Sequence, residues 1–292
     1  MATLMDYKDT FGVVLKNSRK QTVITPENVY QEANTKNLEI LEGMVKGVVL
    51  PNSEIRHLSN LQDLLDRVKA GQKAIILMEH YSNMDLPILV YLLKQHGDLG
   101  KEIADRLIAI AGMKLNEEDP VVCALSEAYS RIVIYPSRSL ASIKDPEVYK
   151  TEEARSRRIN MASMRAFDTK RKEGKIVLIF PSGTRYRPGH PETKKGVREI
   201  DSYLRLSDIM VLISVNGNCL RIPEKSGPDG MLDDVVVKDR IVLDVSPVYN
   251  CKGFRDEAQR NKPDAEDTKQ VSVDHVMQLL EEMHITNEKG RI

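Results

Sequence analysis

The chain has 292 residues, with 43 Lys and Arg against 43 Asp and Glu, for a net formal charge of zero. That length suits one large α/β domain or a main domain with a smaller appendage, and the charge balance gives no reason to expect a nucleic-acid partner. Three widely separated cysteines, Cys123, Cys219 and Cys251, without a C-x-x-C, fit neither a disulfide framework nor a zinc site.

In chain order, "MATLMDYKDT" lacks the basic and apolar regions of a secretion signal. The longest apolar run, Leu86 to Leu93, is far short of the ~20 residues needed to cross a bilayer. The expectation is a cytoplasmic protein, at most peripheral to membranes. Residues 1–56 carry loosely spaced apolar positions and read as a small helical N-terminal portion, with an α/β domain over 57–292. "LSNLQDLLDRVK" places Leu58, Leu61, Leu64, Leu65 and Val68 at helical spacing and stops at Gly71.

From there strands and helices alternate. "KAIILM", "RLIAIAG", "RIVIYP", "KIVLIF", "IMVLISV" and "RIVLDVS" read as strands. "DLPILVYLLKQHG", "DPVVCALSEAYS", "TEEARSRRINMASMRAFDTKRKEG" and "GVREIDSYLRLS" read as helices. "NCKGFRDEAQRNKPDAEDTKQ" reads as loop-rich, and "VSVDHVMQLLEEMH" as a closing helix. Such alternation predicts an α/β fold with a mostly parallel central sheet covered by helices.

Ligands of open α/β sheets bind beyond the carboxyl ends of the strands, and three polar segments fall there. In "LMEHYSNMDLP", His80 precedes Asp85 by five residues at a strand-to-helix turn. On the spacing alone the plainer reading is Asp85 as an N-cap and His80 as a hydrogen-bonded core histidine, and the sharper one is Asp85 as the partner that orients a histidine general base. The spacing leaves both open. Leu86, Ile88, Leu89, Leu92 and Leu93, which follow, read as core rather than as an acyl tunnel. In "YPSRSLASI", Arg138 follows a strand and, taken alone, reads as a solvated side chain. In "FPSGTRYRPGHPETKKG", Pro181, Gly183, Pro188 and Gly189 shape a loop that carries Arg185, Arg187, Lys194 and Lys195. Glycines let amides approach an anion and guanidinium groups match phosphate oxygens, so this loop reads as a phosphate pocket ahead of the alternative, a solvated basic loop, in which cations so close together would repel without a ligand. Neither G-x-x-x-x-G-K-[ST] nor a helix-opening G-x-G-x-x-G is present. Between Tyr135 and Arg198 sixteen basic residues face seven acidic ones, so a cationic region lies inside a neutral chain. Arg155, Arg157, Arg158, Arg165, Lys170, Arg171 and Lys172 of the long helix read as a solvated face or as a contact for an anionic partner.

"HYSNMD", "YPSR" and "FPSGTR", in this order, resemble the glycerolipid acyltransferases, which carry a His-x4-Asp sequence followed by a Phe-Pro-Glu-Gly-Thr-Arg-like one. "FPSGTRYRPG" is similar to the Pro-Ser-Gly-Gly-Arg-x-Arg-Pro loop of the soluble, plastid-type glycerol-3-phosphate acyltransferases. The resemblance extends from about Gln72 to Tyr249. It implies His80 as general base, Asp85 as its partner, Arg138, Arg185 and Arg187 as ligands of the acceptor's phosphate, and Ser182 and Gly183 as residues that shape the pocket. Lys194 and Lys195 are further phosphate candidates. The sequence departs from the plastid type at Ser137, Arg138 and Ser139, where a Lys-Lys-His-like run stands. From the larger branch it departs at Ser182, where Glu stands.

The implied activity is acyl transfer from acyl-CoA or acyl carrier protein to sn-glycerol 3-phosphate, giving lysophosphatidate, with no metal and no cofactor beyond the thioester co-substrate. The alternative acceptor is 1-acylglycerol 3-phosphate. Outside acyl transfer, a hydrolase using Ser182 lacks the G-x-S-x-G elbow, and a non-catalytic phospholipid-binding protein would bind anions without turnover. Peripheral contact with an anionic membrane is a further expectation.

Overall fold

The structure is a computed structural model that describes residues 3–19, 23–117, 120–223 and 233–291. The N-terminal part supplies helices α1 (Lys8–Asn17) and α2 (Thr35–Val48) and the short strands β1 (Tyr30–Gln31) and β2 (Glu54–Arg56). Helix α3 (Leu58–Lys69) follows, with Leu61, Leu64, Leu65 and Val68 buried along one face. The chain then runs through β3 (Ala74–Met78), α4 (Asp85–Lys94), α5 (Gly97–Arg106), β4 (Leu107–Gly112), α6 (Lys114–Glu117), α7 (Pro120–Ser126) and β5 (Arg131–Ile134). Next come α8 (Ser137–Ala141), the long α9 (Pro146–Lys172), β6 (Ile176–Ile179), α10 (Ile200–Leu206) and β7 (Ile209–Asn216). The last part holds β8 (Leu220–Arg221), β9 (Val235–Val236), β10 (Val242–Val245), β11 (Tyr249–Asn250), α11 (Cys251–Asn261) and α12 (Thr268–Lys289).

Among the described residues nine strands form one sheet in the order β1-β5-β4-β6-β3-β7-β10-β2, with β11 also on β7, while β8 and β9 pair separately. The five central strands, β5 to β7, are mutually parallel. Antiparallel pairing enters through β1, β10 and β11. The fold is therefore α/β with a mostly parallel sheet. The central strands are largely apolar on both sides because helices cover both faces, with Arg131, Ser214 and Asn216 as buried polar exceptions. Ile76 and Met78 pack with α2, α3 and α4 on one face, whereas Ile75 and Leu77 pack with α9, α10, α11 and α12 on the other.

Three local departures from the sequence reading have physical causes. The segment that reads as loop-rich forms α11, because Asn250 caps it through the Gly253 amide at 2.8 Å and Cys251, Phe254 and Ala258 make a narrow buried stripe. Helix α5 adds a further element where glycines suggest a break; it buries Gly100 and Ile103. Helix α9 begins five residues before Thr151, since Asp145 accepts the amides of Glu147 and Val148 at 2.9 and 3.1 Å and Pro146 takes the first helical position.

Candidate active site

Strands β3 and β6 are neighbours in parallel register, with Leu77 opposite Ile179, so the chain leaves both strand ends side by side. Two motifs separated by about a hundred residues in sequence thereby meet. The His80 ring stacks on Phe180, with centroids 3.9 Å apart and planes 16° apart. The Tyr186 amide donates to the His80 carbonyl at 2.7 Å, which ties the arginine-rich loop to the histidine backbone.

Asp85 Oδ2 lies 2.9 Å from His80 Nδ1. The carboxylate, 3% exposed, also accepts the amides of Tyr81 and Ser82 at 2.7 and 2.8 Å and the Ser82 hydroxyl at 2.9 Å. Met84 holds the N-cap position and Asp85 is the first helical residue. The N-cap reading thus gives way to a different use: the carboxylate turns back and fastens the loop in front of the helix. A carboxylate only accepts, so Nδ1 carries the proton it shares with Asp85 and Nε2 keeps a lone pair.

His80, 16% exposed, lines a cavity of about 680 Å³. That volume falls within the roughly 300–1,000 Å³ typical of small-ligand sites. Its wall is largely apolar, with Met84, Leu86, Leu125, Ile134 and Met164 among its residues, while Arg138 and Arg205 bring cations. Leu86 therefore differs from Ile88, Leu89, Leu92 and Leu93, which are buried in the core.

The expected phosphate ligands stand in unlike surroundings. Arg138, on α8, is exposed and lines the cavity. Arg187 is exposed, and its guanidinium has no hydrogen-bond partner among the described residues. Arg185 is only 11% exposed and forms an ion pair with Asp234, which is 0% exposed. Burial pushes the Asp234 carboxyl above its usual range, against the pull of Arg185 and Arg187. Lys194 pairs with Glu281 at 2.7 Å and lies 4.8 Å from the centre of the Tyr186 ring, whereas Lys195 is exposed. Ser182 is buried and donates its hydroxyl to the Thr184 carbonyl at 2.6 Å, so that proton is committed within the loop. Gly183 has φ +63°, and a Cβ there would stand 3.3 Å from Val197 Cγ1.

Several polar residues around the site carry no signal in the sequence. Asp234 holds Arg185 across 49 positions, and Glu79 meets His284 across 205. Neither pair has a spacing motif, because the fold alone brings them together.

Comparison with protein families matches residues 55–213, more than half of the chain, to the family described as Acyltransferase. The chain is also similar to the chloroplastic glycerol-3-phosphate acyltransferase of Spinacia oleracea, 28% identical over 138 residues. That segment is 47% of this chain and 27% of the relative, so the chain matches little more than a quarter of the relative's length. The family span runs from β2 into β7 and holds the His80–Asp85 pair, the wall residues Met84 to Met164 and the loop from Phe180 to Lys195. No helix among the described residues is long and apolar enough to cross a membrane. The strand-end histidine, its buried carboxylate and the arginine-bearing loop lie together within the matched span, and the chain belongs to the acyltransferase family.

Proposed function

We propose that the protein transfers a fatty acyl group from an acyl thioester, of coenzyme A or acyl carrier protein, to the 1-hydroxyl of sn-glycerol 3-phosphate. The observation that carries this reading is His80, tied through Nδ1 to Asp85 and lining a largely apolar cavity beside an arginine-bearing loop. The phosphate meets Arg187 and Arg138, and the similarity to a glycerol-3-phosphate acyltransferase favours the small acceptor. His80 Nε2 takes the hydroxyl proton as the oxygen attacks the thioester carbonyl. The tetrahedral intermediate collapses, the C–S bond breaks, and the proton passes to the departing thiolate. Asp85 holds the tautomer and balances the imidazolium formed on the way. The acyl chain lies along the apolar wall. Ser182 takes no part as a nucleophile, since its proton is held by Thr184.

The test is incubation with sn-glycerol 3-phosphate and each thioester, following thiol release and lysophosphatidate. His80→Ala is expected to lower kcat by about 10²–10⁴-fold, the usual share of a general base, in a protein that remains folded. An active His80→Ala protein ends the proposal. If only 1-acylglycerol 3-phosphate accepts the acyl group, the acceptor assignment falls and acyl transfer stands.

A further inference from the structure

His80 sits between two residues that both reach the C-terminal helix. Glu79, still paired with β7 through its amide to the Ile213 carbonyl at 3.0 Å, is buried. Its Oε2 accepts the Val215 amide at 2.8 Å and lies 2.9 Å from His284 Nδ1, on α12. The Tyr81 ring stacks on His284 with centroids 5.1 Å apart, and its hydroxyl lies 3.2 Å from the same Nδ1 and donates to Glu79 Oε1 at 3.4 Å. One imidazole thus holds the residues on either side of His80, whose own ring is stacked on Phe180 and bonded to Asp85.

The imidazole is itself held. The His284 carbonyl accepts from Asn216 Nδ2 at 2.9 Å, the terminal residue of β7, and the same amide group donates to Glu288 at 2.9 Å. Lys194, paired with Glu281, lies 5.7 Å from the centre of the Tyr81 ring and 4.8 Å from that of Tyr186. Burial would lower the pKa of His284, but the hydrogen bond and charge of Glu79 outweigh it and raise the value.

We propose that His284 is a positioning residue for acyl transfer: by holding Glu79 and Tyr81 it fixes the backbone that aims His80 at Asp85 on one side and at the acceptor hydroxyl on the other. The inference rests on His80 being the general base. The mechanical link runs through Tyr81, whose side chain meets His284 and whose amide donates to Asp85 Oδ2 at 2.7 Å. Slack at Tyr81 is therefore slack in the carboxylate that selects the His80 tautomer. His284 lies beyond the 55–213 family span, so this part of the site is supplied by the chain's own C-terminal helix.

Three variants of the full chain test it. His284→Asn keeps an amide N–H near the place of Nδ1. His284→Ala removes the donor, and His284→Gln keeps bulk but carries its amide one bond too far. With sn-glycerol 3-phosphate and acyl-CoA, Ala and Gln are expected to lose about tenfold in kcat with acceptor KM within about threefold, and Asn to recover most of the loss. Nitrogen-15 NMR of the imidazoles supplies a readout that needs no turnover: His80 is expected as a single Nδ1–H tautomer in the wild type and in Asn, and as a tautomer mixture in Ala and Gln. An unchanged His80 tautomer in Ala or Gln overturns the proposal whether or not the wild type is active. Unchanged kcat in those variants also overturns it, as does equal impairment of all three in step with their melting temperatures. A wild type that releases no thiol defeats the acyltransferase reading, and the NMR result still decides the positioning role.

Discussion

Arg185 and Arg187 stand two residues apart in one loop, and their surroundings give them different tasks. Arg187 is exposed, its guanidinium available to an anion. Arg185 is paired with a carboxylate that has no solvent exposure and whose second oxygen has no hydrogen-bond partner among the described residues. Truncating Arg185 leaves a buried, uncompensated charge, so Arg185→Ala is expected to lose about 3–5 kcal/mol of stability by denaturant unfolding. Arg187→Ala is expected to stay within about 0.5 kcal/mol of wild type and to raise the acceptor KM with kcat little changed. The pH sign follows from Asp234, whose folded pKa already lies above its usual value. In Arg185→Ala the folded state binds a proton that the unfolded chain, with a pKa of about 3.9, releases. The deficit therefore shrinks as pH falls through the raised folded value and grows as pH rises through it; a flat pH profile would remove Asp234 as the cause. The sequence announces both arginines as phosphate ligands because type and spacing are local. It cannot announce Asp234, which folding brings to Arg185.

At the scale of elements, the arginine-bearing loop is closed against α12 at Gly196, where a Cβ would fall 2.4 Å from Val273 Cγ1 and 2.9 Å from Met277 Cγ. Val273 is fully buried and has no room to retreat, while the Met277 side chain can swing aside. Gly196→Ala is therefore expected to cost about 1–3 kcal/mol as an overpacked contact, read as a lower denaturant midpoint with unchanged slope. Stability equal to wild type would mean that the loop and α12 part without resistance. Elements with a strong apolar period were legible: α3 spans the stretch that its leucines mark out, and β3 to β7 fall on the apolar runs. Helices α5 and α11 were not, because each buries so few apolar side chains that the charged majority masks the period. The His80–Asp85 pair was legible as a spacing, yet the capping of residues 81 and 82 by Asp85 was not, since hydrogen bonds that run backward from a helix start leave no pattern in residue type.

For the whole molecule, a net charge of zero hides an uneven distribution, with sixteen basic against seven acidic residues between Tyr135 and Arg198. Many of these cations are neutralised locally: Arg155, Arg157, Lys170 and Lys172 pair with acids on or beside α9. Arg205 is exposed and lines the cavity together with Arg138, the acceptor-phosphate candidate, and with Glu199, so cations outnumber acids along it; under the proposed transfer from acyl-CoA, Arg205 is the cation left to meet the donor. Coenzyme A carries several phosphates, and a positive rim raises its encounter rate through a field that salt screens over a Debye length of about 10 Å at 0.1 M and about 3 Å at 1 M. Raising the salt is expected to lower kcat/KM for acyl-CoA while leaving kcat at saturation nearly constant, because screening acts on approach and not on the proton transfer at His80. A short thioester without phosphates is the control, and its kcat/KM is expected to hold steady over the same range. Charge reversal at the rim, Arg205→Glu, is expected to flatten the salt dependence for acyl-CoA and to lower kcat/KM most at low salt. If acyl-CoA and the neutral thioester respond to salt alike, the rim does not steer the donor, and the basic excess serves the solubility of α9 alone.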